Sequence, residues 1–187
     1  MRIHFSKNTF IFIILFIFLC LIYSPVLASD TYYEFGAGGG VNLRGVGSTR
    51  ILVSPAVNMP FRGKDRIRLR IEGDLEYIEG GGEKSYIIGA APVFRYSIMD
   101  KPSSPSLSPF VEFGVGINYT SRKIIDYRRL GAHYLFSPQL GVGVDIGRER
   151  ANPMSLSLRY RHLSNAYTQK YNEGLDTLYF ILSVGFR

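Results

Sequence analysis

The chain carries 187 residues with one cysteine, no tryptophan and a formal charge of +7. Its length suits one domain, a lone cysteine excludes a disulfide framework, and the basic balance favours an anionic partner.

Residues 1–28 have the anatomy of a secretory signal peptide. Arg2 and Lys7 precede an apolar run from Phe10 to Ile22, and the ending Val26-Leu27-Ala28 suits a signal peptidase. The run is short for a retained transmembrane helix. Lipidation is disfavoured because Leu19 precedes Cys20 inside the apolar run. Cleavage removes the cysteine, and with it thiol chemistry, and lowers the charge to +5 because Arg2 and Lys7 leave without an acid. Residues 29–187 are expected to form one mature domain. For an exported basic chain, lipopolysaccharide phosphates and outer-membrane lipids are the nearest anionic partners, and nucleic acid is not expected.

Past residue 30 no helical period persists, whereas alternation of period two recurs, so the mature chain reads as all-β. The first repeat sets Tyr33, Phe35, Ala37, Val41 and Leu43 against Glu34, Gly36, Gly38, Gly40 and Asn42. In the third, Ile67, Leu69, Ile71, Leu75 and Tyr77 share one face, and Arg68, Arg70, Glu72, Asp74 and Glu76 the other. A water-soluble sandwich core would not accept five such charges. A small transmembrane barrel turns the apolar face to lipid and pairs the charges in its lumen. Further strands fall near 51–61, 85–98, 109–120, 132–146, 154–163 and 177–186. The total is eight, an even number compatible with a closed antiparallel barrel.

Turns are expected at Arg62-Gly63-Lys64-Asp65, Glu79-Gly80-Gly81-Gly82-Glu83 and Asp100-Lys101-Pro102-Ser103-Ser104-Pro105. The three glycines read as a loop tip and not as a phosphate cradle, since no helix and no Gly-Lys-Ser follow. Pro55, Pro60 and Pro92 interrupt strands, so bulges or unpaired positions are expected there. At the C-terminus Phe180, Leu182, Val184 and Phe186 alternate outward, which resembles the terminal strand that the barrel-assembly machinery reads, although Arg187 follows the last aromatic.

The segment HLSNAYTQKYNEGLD, His162 to Asp176, concentrates the candidate chemistry. His162 and Ser164 are two apart at a strand end, so they leave one face with Cα atoms roughly 6.6 Å apart. Asp176 lies where the chain re-enters the sheet and could orient the imidazole from across the loop. Met154, Leu156, Leu158 and Tyr160 define the outward face of the seventh strand, and His162 and Ser164 continue that parity. Asp176 shares the outward parity of Leu178 and Phe180. All three therefore point out of the barrel, which suits an enzyme acting on lipid better than a structural barrel, since polar groups facing hydrocarbon need partners. With a N-terminus in the periplasm, this strand end lies at the cell surface, against the outer leaflet. Serine becomes a nucleophile when a hydrogen-bonded base takes its proton, and histidine suits that task.

The other polar residues read more plainly. His133 is expected as a lumen hydrogen-bonder, and Arg159 and Arg161 as lumen charges pairing with Glu72, Asp74 or Glu76. Arg122, Lys123, Arg128 and Arg129, in the loop after the fifth strand, are candidates for lipopolysaccharide phosphates or for plain solvation. His4, His133 and His162 share no ligand spacing with acids or cysteines, so no metal and no cofactor is expected.

Taken with its spacing, the pattern His162, Ser164, Asn165, Asn172, Gly174, Asp176 resembles the outer-membrane lipid A 3-O-deacylase (PagL) family. The resemblance is close over 158–178 and loose over the barrel. It implies a carboxylic ester hydrolase acting on the 3-O-linked hydroxyacyl ester of lipid A. It further implies Ser164 as nucleophile, His162 as base and then acid, and Asp176 as the orienting acid of a Ser-His-acid triad. Asn165 and Asn172 would support the site and its oxyanion, with backbone amides near Ala166. The departure is at Asp176, where well-known members have glutamate: either the loop adjusts or the acid contributes less, and Glu173 is a substitute of the wrong parity.

Two alternatives stay open. One is a non-catalytic structural or adhesion-type eight-stranded barrel. The other is a different lipid enzyme, although no amphipathic helix precedes Tyr32, as a palmitoyltransferase would want, and no dense acid cluster offers a phospholipase its calcium site. A second copy of the barrel is a further candidate partner.

Overall fold

The structure is a computed structural model that describes residues 31–186 except 45–46, 62–63, 81, 100–106 and 148–151. The expected signal peptide lies outside the described residues. Eight long strands carry the alternation: β1 (Tyr32–Asn42), β2 (Thr49–Phe61), β3 (Lys64–Gly80), β4 (Glu83–Ser97), β5 (Leu107–Thr120), β8 (Tyr134–Ile146), β9 (Met154–Leu163) and β10 (Leu175–Phe186). The short strands β6 (Ile124–Ile125) and β7 (Arg128–Arg129) form a hairpin within the β5–β8 connection. The long strands close an antiparallel barrel in which β1 pairs with β10. Closure leaves no sheet edge unpaired, the condition for a sheet in hydrocarbon.

Period two sorts side chains as the charges require. Tyr33, Phe35, Phe113, Leu140 and Phe180 are exposed on the outside, while Arg50, Arg70, Arg95, Arg159 and Arg161 are buried inside. Arg159 pairs with Glu72 and Glu112, both at 2.7 Å, and Arg95 joins Glu112 and Asp145, both at 3.1 Å. Arg161 pairs with Asp74 at 3.3 Å and with Glu76. The expected lumen pairing of Arg159 and Arg161 thus holds, with Glu112 as an additional partner. Gly40 makes room in this lumen: a Cβ there would stand 2.7 Å from the Tyr179 ring, whose hydroxyl donates to Glu76 at 2.5 Å.

An apolar layer closes the charged lumen at one end. Inward Ile78, Ile87, Leu135, Leu163 and Leu175 pack with Ile125 and Leu130 of the β5–β8 connection. Burial of each such side chain favours the closed arrangement by roughly 1.5–3 kcal/mol. Asp126, at the hairpin tip, accepts from Ser48 at 2.5 Å and Asn42 at 2.7 Å, tying the cap to the barrel rim.

Several local expectations are corrected. Lys64, Asp65, Glu79, Gly80 and Glu83, read as turn residues, belong to β3 and β4: Lys64 pairs with Phe61 of β2, and Glu79 and Gly80 pair with Lys84 and Glu83. The β2–β3 register does shift between Pro60 and Phe61, as a proline inside a ladder requires. Pro55 and Pro92 sit where one ladder lapses without changing register. His133 is not a lumen residue: β8 begins one residue later, and His133 stacks on outward Tyr119 with ring centroids 5.6 Å apart. Its Nδ1 bonds the Thr120 carbonyl at 2.7 Å, making it a rim residue.

Candidate active site

The β9–β10 ladder places Asp176 directly opposite His162 and Leu178 opposite Tyr160. Direct partners in an antiparallel pair have Cβ atoms about 5 Å apart, close enough for a short carboxylate to reach an imidazole. Asp176 Oδ1 lies 2.7 Å from His162 Nδ1. Strand register, without any loop adjustment, brings this aspartate within bonding distance of the imidazole.

Outward parity does not leave Asp176 exposed. The residue is 3% exposed, because other groups cover it. Tyr160, two residues before His162 on the same face, donates its hydroxyl to Oδ1 at 2.5 Å. Arg44, from the β1–β2 connection, sets its Nε 3.0 Å from Oδ2. A buried carboxylate is costly unless paired and hydrogen-bonded, and these three partners supply both. With Asp176 ionised, His162 Nδ1 is the donor and Nε2 remains the basic nitrogen.

Ser164 is placed by its backbone. It forms an isolated bridge in which its N–H and carbonyl exchange hydrogen bonds with Phe136, at 3.0 and 2.7 Å. Between that bridge and the pair Gln139–Arg161 the β8–β9 ladder lapses, since Pro138, opposite His162, has no N–H to give. Among the described residues, neither the Ser164 hydroxyl nor His162 Nε2 has a hydrogen-bond partner. The structure thus brings acid and base together and leaves base and serine side by side on one face without a bond.

The chain after Ser164 turns sharply. Ala166 and Tyr167 adopt φ of 51° and 60°, and Thr168 N–H donates to the Asn165 carbonyl at 3.0 Å, the pattern of a type I′ turn. Non-glycine residues in this region carry strain of order 1–2 kcal/mol each. Asn165 holds the turn: fully buried, its Nδ2 donates to the carbonyls of Leu130 at 2.7 Å and Tyr171 at 2.6 Å. Its backbone N–H donates to Asn172 Oδ1 at 2.9 Å. Asn165 is therefore a brace between two connections, with its amide protons already used.

A second brace fixes the other side of the imidazole. Gly174 has φ +66°, and a Cβ there would stand 2.7 Å from His162 Cε1. Arg128 donates to the Gly174 carbonyl at 2.7 Å and to the Glu173 carbonyl. Arg129 donates from its backbone to Glu173 Oε2 at 2.8 Å and from its guanidinium to Oε1 at 3.2 Å. Those hydrogen bonds, the backbone one first, hold the exposed Glu173 carboxyl below the ordinary carboxylate range. Of the four cations considered for phosphates, Arg128 and Arg129 thus clasp the loop, Arg122 pairs with Glu83 at 3.0 Å, and Lys123 is exposed.

Sequence reasoning missed Arg44, Tyr160 and the hairpin. Tyr160 could have been found, being two residues from His162 on the same parity. Arg44 offered no local signal, since its place depends on closure of β1 against β10. Among the described residues, no three His, Cys, Asp or Glu side chains gather into a metal-ligand set.

Fold and site together define an outer-membrane-type barrel that carries an acid-held imidazole and a serine on its exterior, an arrangement suited to ester hydrolysis at a lipid surface. The family model described as Lipid A 3-O-deacylase (PagL) matches residues 57–185, and the chain belongs to that family. The lipid A deacylase PagL of Pseudomonas aeruginosa is 31% identical over 103 residues, 54% of this chain and 55% of that protein. The chain thus spans about half the length of this curated relative. The crystal structure of the outer membrane enzyme PagL shares the fold, with a TM-score of 0.70 and 21% identity over 80% of this chain and 97% of its own. Neisserial surface protein A shares it at a TM-score of 0.58 and 12% identity, over 84% and 97%. A common barrel by itself selects no activity.

Proposed function

We propose that this protein is a lipid A 3-O-deacylase: a serine esterase that hydrolyses the 3-O-linked hydroxyacyl ester in the outer leaflet of the bacterial outer membrane. The observation that carries the reading is the His162–Asp176 pair on the barrel exterior, in a chain of that family. A structural barrel gains nothing from a buried carboxylate on its lipid side.

In the proposed reaction Ser164 Oγ attacks the ester carbonyl carbon while His162 Nε2 takes the hydroxyl proton. Asp176 holds Nδ1–H and stabilises the imidazolium. The tetrahedral intermediate collapses, the sugar oxygen leaves with the proton from Nε2, and an acyl-serine remains. Water, deprotonated by His162, then releases the hydroxy acid and restores Ser164. The Ser164–His162 bond forms as substrate fills the site, since such bonds are often long without substrate.

Asn165 supports the site by bracing the loops, and with its Nδ2 engaged the oxyanion falls to Asn172 Nδ2 and backbone amides near Ala166. Lys123, on the same side of the barrel, is the cation left for lipid A phosphates, with Arg122 available where a phosphate displaces its surface partner Glu83. That side is the cell surface, with the Tyr32 and Phe186 strand ends on the periplasmic side, and the outward Phe186 of the last strand supports recognition by the barrel-assembly machinery.

Mass spectrometry of lipid A from outer membranes with and without the protein tests the reading, with Ser164→Ala as control. Loss of one hydroxyacyl chain that depends on Ser164 is the expected result. An unchanged spectrum with a folded barrel in the membrane would favour the structural alternative.

A further inference from the structure

We propose that Tyr160 and Arg44 are positioning residues of this site, each acting through the Asp176 carboxylate; the inference rests on the esterase reading above. The carboxylate has two oxygens and three partners. Tyr160 and His162 both donate to Oδ1, at 2.5 and 2.7 Å, so the phenol fixes the direction from which that oxygen meets Nδ1. Arg44 Nε holds Oδ2 at 3.0 Å and stops the carboxylate rotating about its last bond.

Neither residue looks like a bystander. The Arg44 side chain is 67% exposed, whereas that of Asp176 is 4% exposed. A long, solvated side chain loses conformational freedom to hold this geometry, and among the described residues its one ion pair is with Asp176. A second tether sets its backbone, whose N–H donates to Asn42 Oδ1 at 3.1 Å. Asn42 in turn donates to Asp126 at 2.7 Å, at the tip of the β6–β7 hairpin whose Arg128 binds Gly174 beneath the imidazole. Arg44 thereby connects the acid to the same assembly of loops that seats the base. Tyr160 and His162 are neighbours on one face of β9, and their cross-strand partners, Leu178 and Asp176, are neighbours on β10. The phenol reaches the carboxylate diagonally, a contact available to a long aromatic side chain.

The roles are of positioning, since the reacting atoms are Ser164 Oγ and His162 Nε2. The carboxylate that orients the imidazole is shorter here by one methylene than the glutamate implied by the family resemblance. Two added donors hold it where cross-strand pairing brings it.

Turnover of lipid A dispersed in detergent is to be measured for Tyr160→Phe and Arg44→Gln, each in an otherwise unchanged chain and in an Asp176→Ala chain. Folded barrel is verified by its altered migration in unheated gels. Each single variant is expected to lower kcat about tenfold with KM within about twofold, as for loss of one hydrogen bond to a charged group. In the Asp176→Ala chain the same substitutions should have no further effect, the mark of residues acting through one group. Arg44→Lys, which restores charge and one donor, should recover part of the loss. Wild-type rates for Tyr160→Phe and Arg44→Gln, or equal losses with and without Asp176, would overturn the inference. Failure of the esterase reading is distinct: it would appear as turnover surviving Ser164→Ala, or as none in the folded wild type.

Discussion

Gly174 lies against the His162 ring, so that a Cβ at position 174 would stand 2.7 Å from Cε1 and 3.3 Å from Nε2. The contact explains why a glycine sits there twice over, because φ of +66° is a conformation that other residues adopt at a cost of about 1–2 kcal/mol. Gly174→Ala is expected to push the imidazole off Asp176 and to lower turnover at least tenfold, with the barrel still folded. Lipid A turnover alongside thermal stability checks this, and a full-rate variant would show that the ring has room to yield.

Asp176→Glu tests the register argument. One methylene adds about 1.5 Å of reach, while Asp176 already stands at bonding distance from His162 across a direct pair. The longer side chain has to fold back and lose Tyr160 or Arg44. A fall of about tenfold in kcat is expected, against the greater loss, up to about 10⁴-fold, for Asp176→Asn, which favours the wrong imidazole tautomer. Steady-state rates for the two variants give the comparison.

Asn165→Asp replaces a donor by an acceptor facing two carbonyls that now lie 2.7 and 2.6 Å from Nδ2. Each buried group left unsatisfied costs about 1–3 kcal/mol, so the connections that meet at Asn165 should separate. Faster hydrogen exchange confined to 121–133 and 164–174, with loss of turnover, is the expected outcome. Exchange unchanged in both segments would remove Asn165 as their brace.

Arg159→Met separates stability from function. It strips a buried guanidinium from Glu72 and Glu112, and breaking such a pair destabilises by about 3–5 kcal/mol. The residue faces the lumen, away from His162, so the folded variant should turn over lipid A at close to the wild-type rate. Urea titration of the barrel in vesicles and an activity assay below the transition read the two quantities separately.

Much of this architecture is written in period two. Five charges alternating with five apolar residues in the third strand excluded a soluble core, and parity alone placed His162, Ser164 and Asp176 on one outward face. Parity failed at His133, just beyond a strand end, where alternation has no meaning. The cap was invisible for a related reason: Ile125 and Leu130 lie in a segment without regular period, and their burial depends on the mouth of a barrel formed by distant strands.

What the sequence by itself determined was the number of barrel strands, the face of side chains within them and the grouping of candidate residues, since these follow from local backbone geometry. Register, closure and loop docking were decided by the tertiary structure. These set Asp176 against His162 and brought Arg44 to the carboxylate, and they turned Arg128 and Asn165 into braces. Such contacts depend on which strands pair and at what offset, a choice made by lumen charges and cap packing summed over the whole barrel.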